Sequence, residues 1–427
     1  MLEIYFETYG CTANLNSTEI MKGLVKQAGL NLTSSPEFSD LVVINSCIVK
    51  EATQEKIRRR VSDLLKQKKK IILAGCMPRI FQKELQHENL FLLDTSQTKR
   101  ITELIKEISE QTYDEDSFIK PRNEVKSALP KISQNKFVGI NQISEGCSGE
   151  CSYCVVRLVK GKLFSYPKET ILKSIKTDLE SGSKEIWITS QDNAAYGNDD
   201  GKNSLPELLK EILKLKGNFF VRVGMMNPDN VLKILPELIE IYKHPKMFKF
   251  LHLPIQSGSD KILKEMKRKY KTSDVKKIIS EFKKAIPEIT ISTDIIVGYP
   301  GETEKDFGET SNLLQEIKPE ILNRSNFCSR PGTPASKLKQ ISSATMKQRA
   351  TKLMNIHLEI CREIQNPWLG KTEAVLVDSR GFGNTYLARN PSYKLFAVFS
   401  QKNILGKKLN VQVKKTLPHY LVAGVEE

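Results

Sequence analysis

Three apolar runs within the first 80 residues each end on a cysteine: "IYFETYGC" closes on Cys11, "LVVINSC" on Cys47 and "IILAGC" on Cys76. Between them lie "NSTEIMKGLVKQAG" and "KEATQEKIRRRVSDLLKQ", whose apolar residues recur with helical spacing. Strand–helix alternation of this kind predicts parallel βαβ units, with a fourth strand at "FLLDTSQ", 91–97. In such sheets ligands gather beyond the carboxyl ends of the strands. The cysteines are 36 and 29 residues apart, about one βαβ unit each. Three thiols distant in sequence are therefore expected on one rim of a doubly wound parallel sheet, residues 1–110.

Residues 111–135 are polar and hold two prolines, and read as a linker. From 136 a second alternating series begins: "FVGINQIS", "EIWITSQ", "FFVRVGM", "FKFLHLPI", "ITISTDIIVG" and "ILNRSNFC". Six βα repeats are too few for a closed eight-stranded barrel and predict an open partial (βα)6 barrel over 136–365. The helix near 344–365 is expected to close it. After "NPWLG" the chain changes to short alternating strands, which predict a small antiparallel β-barrel over 366–427.

The loop after the first barrel strand reads "EGCSGECSYCVV", a C-x3-C-x2-C spacing of Cys147, Cys151 and Cys154. Three thiolates from one short loop can hold three corners of a cubane iron–sulfur cluster and leave the fourth iron open. Structural zinc usually takes four nitrogen or sulfur ligands, often as two C-x2-C pairs. No fourth cysteine adjoins this loop, and the histidines nearest in sequence are His87 and His244. The amino-terminal set, Cys11, Cys47 and Cys76, offers three ligands in the same way; burial as small apolar residues is the competing reading.

A formal charge of +16 over 427 residues favours a polyanionic partner, nucleic acid first. Lysine-rich helix faces such as "KQKKK" would raise the charge equally without binding anything. From Arg362 onward there are ten Lys/Arg against five Asp/Glu. A basic barrel with aromatics suits single-stranded nucleic acid, and a structural cap is the alternative. No stretch approaches the ~20 apolar residues of a membrane span, and no secretory signal is evident, so a cytoplasmic protein without membrane contact is expected.

C-x3-C-x2-C with Tyr153 before the last cysteine resembles the radical S-adenosylmethionine (SAM) superfamily. Across the whole chain, "TYGCTANLNSTE", "VVINSC", "AGCMP", "EGCSGECSYC", "LHLPIQSGSD", "TDIIVGYPGETEKDF" and "SRPGTPA" resemble the methylthiotransferases of the MiaB/MtaB/RimO type. The resemblance implies two [4Fe-4S] clusters, one per cysteine triad, with SAM serving as methyl donor and as radical source. It implies a TRAM domain, OB-like, at the carboxyl end, tRNA bound through its anticodon loop, and an electron donor such as ferredoxin or flavodoxin. A monomer is expected. "WITSQDNAAYG" and "NRSNFCSRPGTPA" resemble the archaeal and eukaryotic subgroup acting on N6-threonylcarbamoyladenosine at position 37. The isopentenyladenosine subgroup and the branch that modifies a ribosomal protein are the alternatives.

For SAM, the resemblance points to Tyr153 at the adenine and to Ser190, Gln191 and Asp192 at the amino group. Gln256 and Ser257, and Ile296 and Gly298, end the fourth and fifth barrel strands, where ribose and adenine lie in the superfamily. Ordinary strand-end packing accounts for the same residues. Lys160–Gly161 stands where the family often has Arg–Gly. Arg330 is a candidate for the threonyl carboxylate, and Cys328 and Cys361 read as structural.

Overall fold

The structure is a computed structural model that describes residues 2–426. The amino-terminal sheet has strands β1 (Glu3–Thr8), β2 (Asn31–Leu32), β3 (Leu41–Ser46), β4 (Lys70–Gly75) and β5 (Leu90–Asp94). Their order is β2-β1-β3-β4-β5 and every pairing is parallel. Helices Thr12–Gln27 and Ile101–Glu110 cover one face and Glu51–Lys66 the other, so β3 is buried at every residue. That is why "LVVINS" is a continuous rather than an alternating apolar run. The expected strand at 91–97 stops at Asp94, whose carboxylate accepts from Ser96 N at 2.8 Å and starts a helical turn.

The barrel strands are β6 (Val138–Gln142), β9 (Glu185–Thr189), β10 (Phe220–Val223), β11 (Phe250–His252), β12 (Thr290–Val297) and β13 (Ile321–Asn326). A two-stranded ribbon, β7 (Ser144–Glu145) with β8 (Phe164–Ser165), brackets the cysteine loop. β10-β9-β6 and β11-β12-β13 are parallel sheets joined at the Val221–Met247 bridge, which makes six parallel strands in an open arc. Along β12, Ile291, Ile295 and Val297 pack in the helix-covered core, while Asp294 and Ile296 are half-buried on the opposite face, inside the arc.

β14 (Thr372–Arg380), β15 (Thr385–Arg389), β16 (Leu395–Phe399), β17 (Lys408–Leu417) and β18 (Tyr420–Val425) form a closed barrel, as expected, except that β16 and β18 close it in parallel. It docks on the starts of the (βα)6 strands. Phe248, Phe250 and Tyr393 form one aromatic cluster there, Thr290 Oγ1 donates to Ser392 O at 2.6 Å, and Arg222 lies over Trp187, Phe250 and Tyr393. The floor of the arc is thereby plugged, and the cysteine loop lies at the other end.

Residues 111–135 are not a free tether. Phe118, in the short helix Glu115–Ile119, is fully buried, and so is Lys126. Ile132 N donates to Glu19 O at 2.9 Å, and Lys131 Nζ reaches Asp178 Oδ2 at 2.7 Å and Ile140 O at 2.8 Å. Asn16 Nδ2 also donates to Ile140 O, so helix Thr12–Gln27 lies along β6, at the open edge of the arc. Polar composition here marks a seam crossed by buried ion pairs, which composition alone does not distinguish from a solvated linker.

Candidate active site at two facing cysteine rims

All eight cysteines are free thiols. Cys11, Cys47 and Cys76 follow β1, β3 and β4, three adjacent strands, and so meet at one carboxyl edge. Asn14 holds the edge: its Nδ2 donates to Tyr9 O and Ser46 O, and its Oδ1 lies 3.9 Å from Cys11 Sγ and 4.0 Å from Cys76 Sγ. Cys76 N donates to Ser46 O at 3.0 Å. A Cβ on Gly10 would come within 2.9 Å of Cys47 Sγ, so only glycine lets β1 pass this close. Burial pushes the Cys76 thiol up to about 12 and raises that of Cys47. Such thiols ionise when a metal takes them, with release of their protons.

The second triad lies on a loop with fixed ends. Gly146 N donates to Gln191 Oε1 at 2.7 Å and Cys147 N to Gly161 O at 3.3 Å. Inside the loop, Gly149 N donates to Cys147 Sγ at 3.2 Å and Arg268 Nη1 to Cys151 Sγ at 3.2 Å. Burial pushes Cys147 up to about 12 and raises Cys154. Donors aimed at sulfur favour the thiolate, the form that binds iron. Among the described residues no three His, Cys, Asp or Glu side chains converge closely enough to hold a single metal ion. Mononuclear zinc is poorly served by that spread, whereas a cubane takes each thiolate on its own corner. Three free thiols in each triad, with N–H donors aimed at two of the barrel sulfurs, are the donor chemistry a cubane takes.

The helix Val156–Lys160 brings the rims together. It starts two residues after Cys154, and Val155 and Val159 pack in the same apolar cluster as Cys47, Cys76 and Met77. Arg79 donates to Val159 O, and its Nη2 meets Asp94 at 2.5 Å. From β13's end, Arg330 Nη1 and Nη2 donate to Gln54 Oε1 and Val49 O, both at 2.8 Å. Arg330, the sequence candidate for a substrate carboxylate, is buried and fastens the two domains together instead.

Of the expected SAM contacts, Tyr153 and Ile296 share one cluster with Met346 and Tyr299, at the carboxyl end of β12. Gly298 N donates to Glu302 Oε2, which pairs with Arg349. Gln191 supports the loop. Ser190 Oγ accepts from Asp192 N. The Asp192 carboxylate is raised to about 6 by burial and accepts from Asn227 N, Asn227 Nδ2 and Asn230 Nδ2. Ser257 Oγ meets Thr310 on helix Glu304–Ile317, and Gln256 takes a positive φ of 72°. Buried Gln142 Oε1, Ser144 Oγ and Asn193 Oδ1, at the ends of β6 and β9, have no partner, which suits a polar cofactor in the arc.

Sequence reasoning missed several residues. His252 Nε2 and Asp294 Oδ2 meet at 2.6 Å, with Asp294 facing the interior of the arc. Arg268 reaches Cys151 from 117 residues away, and no local pattern in the sequence pointed to it. Cys328 is half-buried near Glu51, and Cys361 is buried 3.4 Å from His357 Nε2, both outside the triads.

An open (βα)6 arc with a three-cysteine loop at its mouth, faced by a second sheet with its own thiol rim, defines a radical SAM enzyme with an auxiliary thiol domain. The Radical SAM superfamily matches residues 141–314, and a domain described as Uncharacterized protein family UPF0004 matches residues 3–93. The chain is 38% identical to a probable threonylcarbamoyladenosine tRNA methylthiotransferase of Pyrococcus horikoshii, covering 100% of both. It is 34% identical to the Homo sapiens threonylcarbamoyladenosine tRNA methylthiotransferase over 98% of this chain and 73% of that protein. Its fold is shared with the radical SAM methyltransferase TsrM from Kitasatospora setae, at a TM-score of 0.58 and 14% identity over 79% and 77% of the two chains. The chain belongs to the threonylcarbamoyladenosine tRNA methylthiotransferase family.

Proposed function

We infer that the protein converts N6-threonylcarbamoyladenosine at position 37 of tRNA to its 2-methylthio derivative. The observation that carries this reading is the short helix that follows the Cys147–Cys154 loop and packs through Val155 and Val159 on Cys47 and Cys76, in a chain that matches such enzymes end to end. An aromatic C–H has no acidity that a carboxylate or imidazole could exploit. The clusters and SAM supply what side chains lack: a reductively generated carbon radical and a sulfur atom held for transfer.

The chain's own residues do the rest. Cys147, Cys151 and Cys154 would hold one cluster and leave an iron open for SAM; Cys11, Cys47 and Cys76 would hold the other. Arg268 steadies the charge on Cys151. Gln191 fixes the loop by accepting from Gly146 N. The plugged floor and helix Thr12–Gln27 at the open edge exclude water from the arc, where a radical must not meet solvent. The unpaired base of an anticodon loop is cheap to splay out toward that mouth. The basic carboxyl-terminal barrel supplies phosphate contacts. We further propose a monomer in the cytoplasm, reduced by a ferredoxin- or flavodoxin-type donor, in keeping with eight free thiols.

The test is anaerobic incubation of the reconstituted enzyme with SAM, reductant and tRNA lacking only the methylthio group, followed by nucleoside mass analysis. Methylthio gained on threonylcarbamoyladenosine is expected. Gain only on isopentenyladenosine, or only on a ribosomal-protein control, overturns the substrate assignment.

A further inference from the structure

The turn after helix Asp260–Glu265 is bonded to the barrel cysteine loop: Ser152 N donates to Met266 O at 3.1 Å and Ser152 Oγ to Glu265 O at 2.9 Å. Along this turn Met266 and Tyr270 are buried, Arg268 is half-buried between them, and Lys267 and Lys269 are exposed. Arg268 is fixed by four bonds: Nη1 donates to Cys151 Sγ at 3.2 Å, Nη2 to Asn227 Oδ1 at 2.6 Å and Pro254 O at 3.2 Å, and Nε to Tyr270 Oη at 2.9 Å. Outside it opens a cleft of about 340 Å³, whose wall includes Cys151, Lys233, Lys267, Arg268 and Lys269. The carboxylates on the same wall are Glu150 and Asp229. Glu150 Oε1 is met by Arg157 at 3.1 Å, which leaves Asp229 against four cations.

Reductive cleavage of SAM consumes an electron that no side chain of the protein supplies. Electron transfer fades steeply with distance, so the donor must come close to the Cys147–Cys154 loop. The approaches to that loop differ. Beyond Cys154, Val155 and Val159 are packed against the amino-terminal domain, and the far end of the arc is plugged by the carboxyl-terminal barrel. The mouth of the arc must take the base to be modified. Cys151, by contrast, borders open space on the outer flank. An RNA backbone placed there would bring phosphates but no electron. Cations set around the same cleft as a cluster ligand serve a redox protein with an acidic face, because opposite charge speeds such encounters by about 10- to 1,000-fold and suppresses wrong ones.

We propose that this cleft is the docking surface for a small acidic one-electron carrier protein, seated on Lys233, Lys267 and Lys269 with its redox group toward Cys151. One electron leaves the carrier and enters the barrel cluster; the carrier is oxidised, the cluster is reduced, and no bond forms or breaks. The proposal rests on the two-cluster function above and adds the place where its electron enters.

The probe is a flavodoxin, with a ferredoxin in parallel, added to the anaerobically reconstituted full chain. Calorimetry reads binding of the oxidised carrier, and SAM cleavage is driven either by the reduced carrier or by dithionite. Wild type should bind the carrier, and lose that affinity at about 1 M salt, where charges are screened beyond about 3 Å. Lys267→Glu/Lys269→Glu should bind about tenfold or more weakly and slow carrier-driven cleavage to match, with dithionite-driven cleavage within about twofold of wild type. Lys277→Glu/Lys284→Glu, the same charge change on exposed positions of helix Thr272–Ala285, should behave as wild type. Carrier affinity unchanged in Lys267→Glu/Lys269→Glu overturns the proposal, as does an equal loss in Lys277→Glu/Lys284→Glu. A variant that loses tRNA affinity and not carrier affinity overturns it too, since the cleft is then an RNA contact. If the reversed pair fails to hold iron, Lys267→Gln/Lys269→Gln is read in its place; loss of iron there as well overturns the proposal, because the pair then holds the loop. Wild type that binds neither carrier also overturns it. Wild type that binds a carrier yet cleaves no SAM with dithionite overturns the two-cluster function instead.

Discussion

Gly146→Ala is the sharpest test of the way the cysteine loop is held. Gly146 has a φ of +79°, and a Cβ placed there would lie 1.9 Å from Lys162 O and 2.5 Å from Lys162 C. An alanine in the left-handed region costs about 1–2 kcal/mol. The collision is with backbone, which no rotamer change relieves, and overpacking of that kind adds about 1–3 kcal/mol. A local cost of roughly 2–5 kcal/mol is enough to release the loop. Releasing it breaks the 2.7 Å bond from Gly146 N to Gln191 and the 3.3 Å bond from Cys147 N to Gly161 O. The amino-terminal rim shares neither bond. Anaerobically reconstituted Gly146→Ala should therefore fall from about eight irons per chain to about four, and lose SAM cleavage. Gly308→Ala is the control: Gly308 lies in helix Glu304–Ile317 with nothing within 4 Å of the new Cβ, so it should gain up to about 1 kcal/mol and keep its iron. Eight irons and wild-type SAM cleavage in Gly146→Ala would refute the reasoning.

Three more outcomes are expected. Arg268→Met should retain both clusters, shift the barrel cluster to a more negative potential and slow SAM cleavage by about tenfold, because the donor to Cys151 is a charged hydrogen bond worth about 1.5–3 kcal/mol; an unchanged EPR potentiometric curve refutes it. Lys131→Met leaves the Asp178 carboxylate buried without its cation and should cost about 3–5 kcal/mol in urea unfolding, partly recovered in Lys131→Met/Asp178→Asn. His357, buried beside Cys361 and stacked on His419, has its pKa lowered by burial from 6.5 to about 4. The unfolded chain then takes up the proton first, so stability present above pH 6.5 is lost as pH falls toward 4, by about 3 kcal/mol in all. His357→Gln should flatten that part of the melting-temperature profile relative to wild type.

Much of the site was legible because its signals are local or periodic. The apolar runs ending at Cys11, Cys47 and Cys76 announce their own strands, and parallel topology obliges adjacent strand ends to share a rim. The Cys147–Cys154 loop is legible because its ligands lie within eight residues. Arg330 shows where that reading stops: as an arginine near a strand end it resembles an anion binder, yet it spends two nitrogens on Gln54 and Val49 across a domain boundary. The polar stretch 111–135 misled for the same reason, since Lys126 and Lys131 find their carboxylates in other domains.

By itself, then, the chain's order of residues determined the three domains' classes, the two thiol triads and the family. Hydrophobic period and short-range ligand spacing are properties of neighbouring residues, and they survive without any knowledge of the fold. Only the tertiary structure decided that the short helix after the barrel loop packs on Cys47 and Cys76, that one glutamate is shared by two buried lysines, and that the carboxyl-terminal barrel plugs the far end of the arc. Those facts depend on contacts between residues tens to hundreds of positions apart, whose energies come from burial and charge pairing that no local pattern encodes.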